Sequence, residues 1–517
     1  MNEQAGVGRC GELTIALSLA TDLGTGKPLE HGLRTCWLSL KAAEALGLDE
    51  AGRSCVYHVA LLRFLGCTSD ASETAVFAGG DDVGFNSTFA PMLNAQPGEG
   101  ARFLVGHLAS DLPLRRRVGR VARALGDPGG GRRSLSAHCE AGSRLATRLG
   151  MPASVCDSLA HAYERWDGKG YPDGLAGEDV PKAIRIVTVA RDAELWSRQA
   201  GWAAAAEVLA RRRGRAYDPV VVDALSGDGE GWLAGIGEDP CAAVLDAEPA
   251  PVLTLKDSRI DGALSAVADF ADLKSPFFLG HSTGVAAIAG AAATAAGMSD
   301  EDAATVRRAA LVHDVGKVGV ASGIWDHPGP LSADQWERVR LHSYLGERVL
   351  SRCRLLEPYA AVAARHHERA DGSGYHRGLS GDQLGVGARI LAAADMYHAL
   401  LEPRPHRPAV DPAAAATRLL DEVDAGRLGR AEVDAVLAAA GQASRPPHID
   451  RPAGLTEREV DVLRLIARGQ ANKQVAAMLG ISPKTVGRHI EHIYAKAGVS
   501  TRAGATLFAM ETGLLAP

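Results

Sequence analysis

Two stretches of the chain, ERWDGKGYPDGL at residues 164–175 and ERADGSGYHRGL at residues 368–379, align without a gap at an offset of 204 residues. The same offset places His138 on His342. Self-similarity over this length indicates that one folded unit occurs twice in the chain. We call the two halves copy one and copy two.

Nearer the start of each half the offset changes. His31 falls on His281, and VALLRFLG (59–66) falls on AALVHDVG (309–316), at an offset of 250. The difference between the offsets, 250 minus 204, is 46 residues. We therefore expect an insertion in copy one at about residues 72–125.

The composition is that of a globular protein, with 46% hydrophobic and 23% charged residues among 517. Apolar residues recur every three or four positions and strand-like alternation is scarce, which predicts an all-α fold. Segments rich in proline at 248–252 and 444–454 are candidate linkers. They divide the chain into three predicted domains: copy one (1–240), copy two (256–442) and a C-terminal module (455–517).

Several classes of protein are excluded or disfavoured. The eight cysteines are never closer than 12 residues, which argues against a zinc ribbon or a disulfide framework. The N-terminus has no secretory pattern, and the alanine-rich stretch 284–298 is too short to span a bilayer. We expect a cytoplasmic protein with no membrane partner.

The charge distribution favours a nucleic-acid partner for the C-terminal module. The module has eight Lys/Arg and five Asp/Glu, a balance of +3, whereas the rest of the chain carries 48 minus 57, or −9.

Copy two contains an ordered set of polar residues of the types that bind divalent metals: His281, His313, Asp314, Lys317, His342, His366, His367 and Asp395. One ion does not need so many ligands, whereas two ions sharing Asp314 would use them all. Paired ions stabilise both oxygens of a phosphoester displacement. A helical HDxxK also puts Asp314 and Lys317 within one turn.

A lone histidine on an apolar helix is more often a core residue than a ligand. His327, His376, His398 and His406 fit that simpler interpretation. Five spaced histidines with two aspartates do not, because burying so many unpaired polar groups is costly.

The segments HDVGKVGV (313–320), HHERADGSGYHRGL (366–379) and ARILAAADMYHALLEPRPHR (388–407) resemble the HD-GYP family of HD-superfamily phosphohydrolases. The resemblance implies a helical domain with two or three metal ions, usually iron or manganese. Its expected substrate is cyclic di-GMP or a related cyclic dinucleotide.

Carried over by motif, the resemblance also implies residue roles. The first metal would be held by His281, His313, Asp314 and Asp395, and the second by Asp314, His342, His366 and His367. Asp314 and Lys317 would be catalytic, and Gly374, Tyr375, Arg404 and Arg407 would bind substrate.

Three positions depart from the family pattern. His376 replaces the proline of the GYP signature, His398 replaces an aspartate, and Phe277 stands where some members have a glutamate for a third metal.

Copy one has lost most of the ligands. Arg63 and Phe64 replace the His-Asp pair, Ala162 and Tyr163 replace the two adjacent histidines, and Arg191 replaces the last aspartate. Copy one thus resembles a degenerate HD-GYP domain. It is a candidate scaffold or sensor.

The C-terminal module has the pattern of a helix-turn-helix. Thr456 and Glu459 form a capping box, Gly480 ends a second helix, and Ser482 with Pro483 begins a third. Residues 455–505 resemble the LuxR-type helix-turn-helix, which implies a four-helix module that binds double-stranded DNA, commonly as a homodimer.

The LuxR-type resemblance implies, from each residue's position in the motif, which residues contact DNA. Lys473, Lys484 and Thr485 are expected at phosphates, and Arg488 and Glu491 at base edges.

Together these features predict a transcriptional regulator that hydrolyses or senses a cyclic dinucleotide. Two alternatives stay open at this point. The protein could be a catalytically inactive, ligand-gated regulator with a structural metal site, or a phosphohydrolase of another nucleotide.

Overall fold

A computed structural model describes residues 8–95, 129–442 and 452–515. The chain divides into two compact units, residues 1–260 and 261–517. The prediction of an all-α fold is confirmed, since regular strands within the described ranges amount to one short pair. In that pair β1 (Gly8–Arg9) runs antiparallel to β2 (Thr254–Leu255), with Gly8 opposite Leu255.

The first unit is a helical body around α1, which is buried along almost its whole length. Its helices are α1 (Cys10–Gly24), α2 (His31–Ala45), α3 (Glu50–Leu62), α4 (Ala71–Ala78), α5 (Asp82–Phe89), α6 (Gly130–Arg148), α7 (Ala153–Ala160), α8 (Lys182–Ala200), α9 (Trp202–Arg212), α10 (Pro219–Ala234) and α11 (Pro240–Asp246). The first part of the predicted insertion forms α4 and α5, and residues 96–125 lie outside the described residues.

The second unit begins within α12 and contains all of copy two after its first residues. Its helices before the C-terminal module are α12 (Asp257–Asp272), α13 (His281–Ala295), α14 (Asp300–Val312), α15 (Ser322–Trp325), α16 (Ala333–Leu350), α17 (Glu357–Ala363), α18 (Val386–Leu401), α19 (Pro412–Asp424) and α20 (Arg430–Gln442). A 3₁₀ turn, Val315–Gly319, follows α14 after His313 and Asp314. Copy two and the C-terminal module share this unit, so the predicted boundary between them stays a prediction.

Four helices form the C-terminal module, as predicted: α21 (Glu457–Ala467), α22 (Asn472–Leu479), α23 (Pro483–Ala497) and α24 (Arg502–Glu511). The capping box is present, because the Thr456 side chain accepts from the Glu459 backbone N–H while the Glu459 side chain accepts from Thr456 N–H. Ser482 caps α23 through the Thr485 backbone N–H. Leu463, Ile466, Val475, Val486 and Ile493 are among the residues of its core.

None of the described helices is both long and apolar enough to cross a membrane.

Candidate metal centre and DNA-binding surface

The metal-type residues of copy two converge from five separate segments. His281 begins α13, His313 and Asp314 join α14 to the 3₁₀ turn, and His342 lies on α16. His366 and His367 follow α17, and Asp395 lies on α18. All of them except the partly exposed His367 are buried. The sequence-predicted set is thus brought into one place.

Asp314 lies between two groups of histidines. Its Oδ2 is 3.5 Å from His281 Nε2 and 3.1 Å from His313 Nε2. Its other oxygen, Oδ1, is 3.7 Å from His342 Nε2 and 3.6 Å from His366 Nε2. Each carboxylate oxygen therefore faces its own set of ring nitrogens.

Asp395 completes the first set. Its Oδ1 is 3.1 Å from His281 Nε2 and 3.7 Å from His313 Nε2, and its Oδ2 is 3.9 Å from His367 Nδ1. Ligand atoms lie within 4.8 Å of one another in several overlapping groups, among them His281, His313 and Asp395, and His342, His366 and His367. A further group, His313, Asp314 and His366, links these two. The division into two ligand sets stays a prediction.

The backbone fixes the orientation of three of these rings. His313, His342 and His366 each donate from Nδ1 to the carbonyl oxygen three residues earlier, at 2.7, 2.5 and 2.6 Å. A carbonyl can only accept, so Nδ1 carries the proton and the lone pair of Nε2 is directed into the centre. This is the arrangement that metal-binding histidines need.

The fourth ring is oriented by a residue that sequence reasoning missed. Glu402 Oε2 lies 2.8 Å from His281 Nδ1, at the end of α18. Glu402 is seven residues after Asp395, so two helical turns put both side chains on one face. That spacing is the signal that could have found it.

The pKa values of the histidines are shifted in opposite directions in the two groups. Burial lowers the pKa of His342 to about 4, and burial together with His313 lowers that of His366 to about 3. Burial opposes protonation of His313 too, but the Asp314 carboxylate outweighs it and raises the pKa of His313 to about 10. The Asp314 carboxylate therefore favours the protonated form of His313.

The residues fit a pair of divalent ions. Asp314 Oδ1 is buried and makes no hydrogen bond with any described residue, and His313 Nε2 makes none of good geometry. Leaving such atoms unpaired costs free energy. Imidazole and carboxylate ligands on both sides of a shared aspartate would place these atoms on metal.

Lys317 lies beside the centre. It forms an ion pair with Asp314 from one helical turn away, as the HDxxK spacing predicted. Its Nζ is also 4.2 Å from the centroid of the Phe278 ring and 5.7 Å from that of Trp325. The aromatic rings hold a mostly buried ammonium next to the carboxylate.

The predicted substrate-binding residues divide into two groups. Tyr375 has its ring centroid 4.8 Å from that of His367, at the open side of the centre. Tyr375 therefore borders the histidines. Gly374 packs instead against the backbone of Glu368, where a Cβ would lie 2.4 Å from the Glu368 Cα, and its contact with substrate stays a prediction.

The two arginines have internal partners instead. Arg404 donates to the Phe277 carbonyl at 2.6 Å and to Glu402 at 2.8 Å. Arg407 donates to backbone carbonyls around the end of α18. Their contact with a substrate phosphate stays a prediction.

Copy one lacks this arrangement. His31 Nδ1 pairs with Glu194, and His138 Nε2 lies 2.6 Å from Asp70. Within the described ranges, every cluster of ligand atoms suited to a metal lies in copy two.

The predicted DNA-contacting residues lie exposed on two helices of the C-terminal module. Lys473 lies on α22, and Lys484, Thr485, Arg488 and Glu491 lie on α23, all exposed. Because Val486 and Ile493 hold the opposite side of α23 in the core, the exposed side is free to enter a groove.

Comparison with known proteins supports both parts of the chain. The HD domain family matches residues 131–221 and 265–431, a segment in each copy. The luxR family of bacterial regulatory proteins matches residues 453–509.

Individual relatives extend the match. The chain is 30% identical over 416 residues to 3'3'-cGAMP-specific phosphodiesterase 3 of Vibrio cholerae, covering 80% of this chain and 90% of the relative. The crystal structure of a cyclic GMP-AMP phosphodiesterase from the same organism, V-cGAP3, superposes with a TM-score of 0.59 and 26% identity, over 84% of this chain and 98% of that one.

A third relative matches a shorter part. The cyclic di-GMP phosphodiesterase response regulator RpfG of Xanthomonas campestris is 36% identical over 173 residues, covering 31% of this chain and 46% of the relative. Together with the metal-ligand geometry of copy two, these findings establish that the chain belongs to the HD-GYP family of HD-domain phosphohydrolases and carries a luxR-family regulatory domain at its C-terminal end.

Proposed function

We propose that copy two hydrolyses a cyclic dinucleotide with two divalent ions, iron or manganese, and that the C-terminal module binds double-stranded DNA. The observation that carries the proposal is the position of Asp314, whose two oxygens face separate histidine groups. One carboxylate so placed suits a pair of ions, because each oxygen can serve one of them. When bound, such ions supply Lewis-acid activation of water and neutralise charge on the phosphate.

The remaining residues position and protect the reaction. The carbonyls that accept from His313, His342 and His366 hold those rings in one tautomer, so the ligands need no reorganisation. Lys317, which forms an ion pair with Asp314, can stabilise negative charge on a phosphate oxygen. Water adds across one phosphodiester bond, and the product is a linear dinucleotide.

Tyr375 and Arg340 form the rim of this site. Arg340 Cζ lies 5.9 Å from the centroid of the Tyr375 ring, and the ring in turn lies over His367. An aromatic face beside a cation suits a nucleobase next to its phosphate. We assign base recognition to this rim.

Metal content and hydrolysis test the proposal together. Anaerobically purified wild-type chain, Asp314→Asn and the control His327→Ala would be assayed with cyclic di-GMP and with 3'3'-cGAMP. We expect about two metal ions per chain in the wild type, and at least ~1000-fold slower hydrolysis in Asp314→Asn because both ions lose a ligand. His327 lies outside the ligand set, so its variant should match the wild type.

Two outcomes would contradict the proposal. A metal-free wild-type protein would rule out the two-ion site. Bound metal without turnover of either substrate would instead favour the ligand-gated regulator or a different nucleotide.

Salt dependence tests DNA binding without knowledge of the operator. We expect Lys484→Ala to weaken binding to a random duplex and to reduce the slope of log K against log salt by about 0.9, the value for one lost phosphate contact. Arg430→Ala removes the same charge from an exposed site on α20 and should leave the slope unchanged. Equal slopes in all three proteins would refute the assignment of Lys484.

We also propose that the module binds as a homodimer. Two chains per duplex in analytical ultracentrifugation would support this, and one chain per duplex would contradict it.

A further inference from the structure

The part of copy one that corresponds to the metal centre contains cations in place of ligands. Phe64 occupies the position of Asp314, Arg63 that of His313, and Arg191 that of Asp395. Lys27, from the turn between α1 and α2, joins them. We call Lys27, Arg63 and Arg191 the basic cluster.

The basic cluster is buried. Its members are 7%, 5% and 0% exposed. Lys27 Nζ lies 3.3 Å from the centroid of the Phe64 ring, and Arg191 Cζ lies 5.8 Å from the same centroid, so both cations approach one ring. Arg63 Cζ lies 5.7 Å from the centroid of Tyr163.

Several of these cationic nitrogens have no partner. Lys27 Nζ, Arg63 Nε, Arg63 Nη1 and Arg191 Nε are buried and make no hydrogen bond with the described residues. Contacts with aromatic faces offset only part of the cost of removing such charges from water.

The neighbouring carboxylates are already engaged. Asp192 accepts from Arg191, Tyr217 and Asn94. Glu194 pairs with His31 and Arg198. Asp22 accepts from the Gly32 backbone N–H, at 3.2 Å. The Asp22 carboxylate attracts the Lys27 ammonium but accepts no hydrogen bond from it, and Arg63 Nε and Nη1 also lack an acceptor among the described residues.

Burial and the repulsion between these cations both lower the pKa values of Lys27 and Arg63. Burial and the nearby Arg191 lower the pKa of Lys27 well below its usual range, and burial lowers that of Arg63 to about 10. A bound anion would oppose both effects, because it favours the charged forms.

We propose that the basic cluster binds a phosphate oxyanion, supplied either as free inorganic phosphate or as the phosphodiester of a cyclic dinucleotide. An oxyanion with several acceptor oxygens can receive hydrogen bonds from an ammonium and from guanidinium groups at once. The fixed cations of copy one then do for the phosphate charge what metal ions do in a catalytic site, without activating water. Copy one is a binding site in which no hydrolysis occurs.

Thermal unfolding of the full chain, treated with a chelator, tests this at constant ionic strength. The four proteins are the wild type, Lys27→Met, Arg63→Met and Lys41→Met. Lys41 carries the same charge on the exposed side of α2, next to Glu44, and its variant is the matched control. Each protein is titrated with inorganic phosphate, cyclic di-GMP and 3'3'-cGAMP.

We expect an anion at about 100 times its Kd to raise the Tm of the wild type and of Lys41→Met by about 5 °C. The shift should vanish in Lys27→Met and Arg63→Met, whatever their starting Tm. A response to inorganic phosphate identifies the free ion as sufficient, whereas a response to the dinucleotides alone identifies the phosphodiester.

Two results would overturn the proposal. One is a shift of equal size in all four proteins, which would place the anion elsewhere. The other is no shift of the wild type with any of the three compounds. Should one methionine variant fail to fold, the other still decides the outcome.

Discussion

The two copies bury polar groups at corresponding positions, but the charge that these groups carry is opposite in sign. In copy two, Asp314 and Asp395 bring negative charge to a set of histidines, and divalent ions suit such a set of ligands. In copy one, Arg63 and Arg191 stand at ligand positions, and an anion suits them. The same helical scaffold can therefore bury residues of either charge. The residues at a few positions decide whether the site suits a cation or an anion.

The largest effect is expected from transferring one residue of copy one into copy two. Asp395→Arg puts a guanidinium beside His281 and His313, where it repels a cation. We expect metal content to fall by about one ion per chain and hydrolysis to fall at least ~1000-fold. Elemental analysis and circular dichroism, measured together, separate this effect from unfolding.

Asp395→Asn is the matched variant for that experiment, since it removes the ligand charge without adding a cation. If Asp395→Arg keeps its full metal content, the charge at this position is not what makes metal binding differ between copy two and copy one.

A smaller effect is expected from the carboxylate behind a ligand. Glu402→Gln removes the negative charge that faces His281 Nδ1, 2.8 Å away. Loss of such a partner weakens metal binding by about 10–100-fold. Competition with a chelator measures the change, and Glu337→Gln, on an exposed surface, should behave as the wild type. An unchanged affinity would contradict the supporting role of Glu402.

The smallest expected effect concerns the same histidine position in both copies. Burial outweighs the attraction of Glu194 and lowers the pKa of His31, whereas Glu402 and Asp395 overcome burial and raise that of His281 in metal-free protein. Nuclear magnetic resonance titration, assigned with His31→Gln and His281→Gln, should show His281 protonating at higher pH than His31.

The two shifts affect stability with opposite signs. The lowered pKa of His31 means that its contribution is complete above the usual histidine value of about 6.5 and is lost as the pH falls below it. The raised pKa of His281 means that its contribution is present below about 6.5 and is lost as the pH rises through the raised value. Equal pKa values would remove this difference between the copies.

Much of the molecule follows from sequence pattern alone. The offset repeats revealed the duplication, the apolar periodicity indicated helices, and the Thr456–Glu459 capping box marked the start of α21. These are local signals, because a cap or an amphipathic face depends on neighbours within a few residues. The candidate metal ligands were also found this way, since their residue types are costly to bury without a role.

Other features depend on contacts between distant segments. The two oxygens of Asp314 separate the histidines into two groups only because α13, α14, α16 and α18 meet there. Arg404 and Arg407, expected at a phosphate, donate to backbone carbonyls, and Arg404 also to Glu402, which the sequence did not indicate. In copy one, no sequence motif identifies Lys27, and its lack of a hydrogen-bond acceptor is apparent only in the folded structure.

The sequence by itself determined the helical class, the duplication, the luxR-family module and the candidate metal ligands. Tertiary structure alone decided which histidines face each oxygen of Asp314, which groups accept hydrogen bonds from Arg404 and Arg407, and which buried cations lack an acceptor. The physical reason is range: hydrogen-bonded caps and helical periodicity act within a few residues, whereas the balance of buried charge is set by groups that are far apart in sequence and meet only in the folded chain.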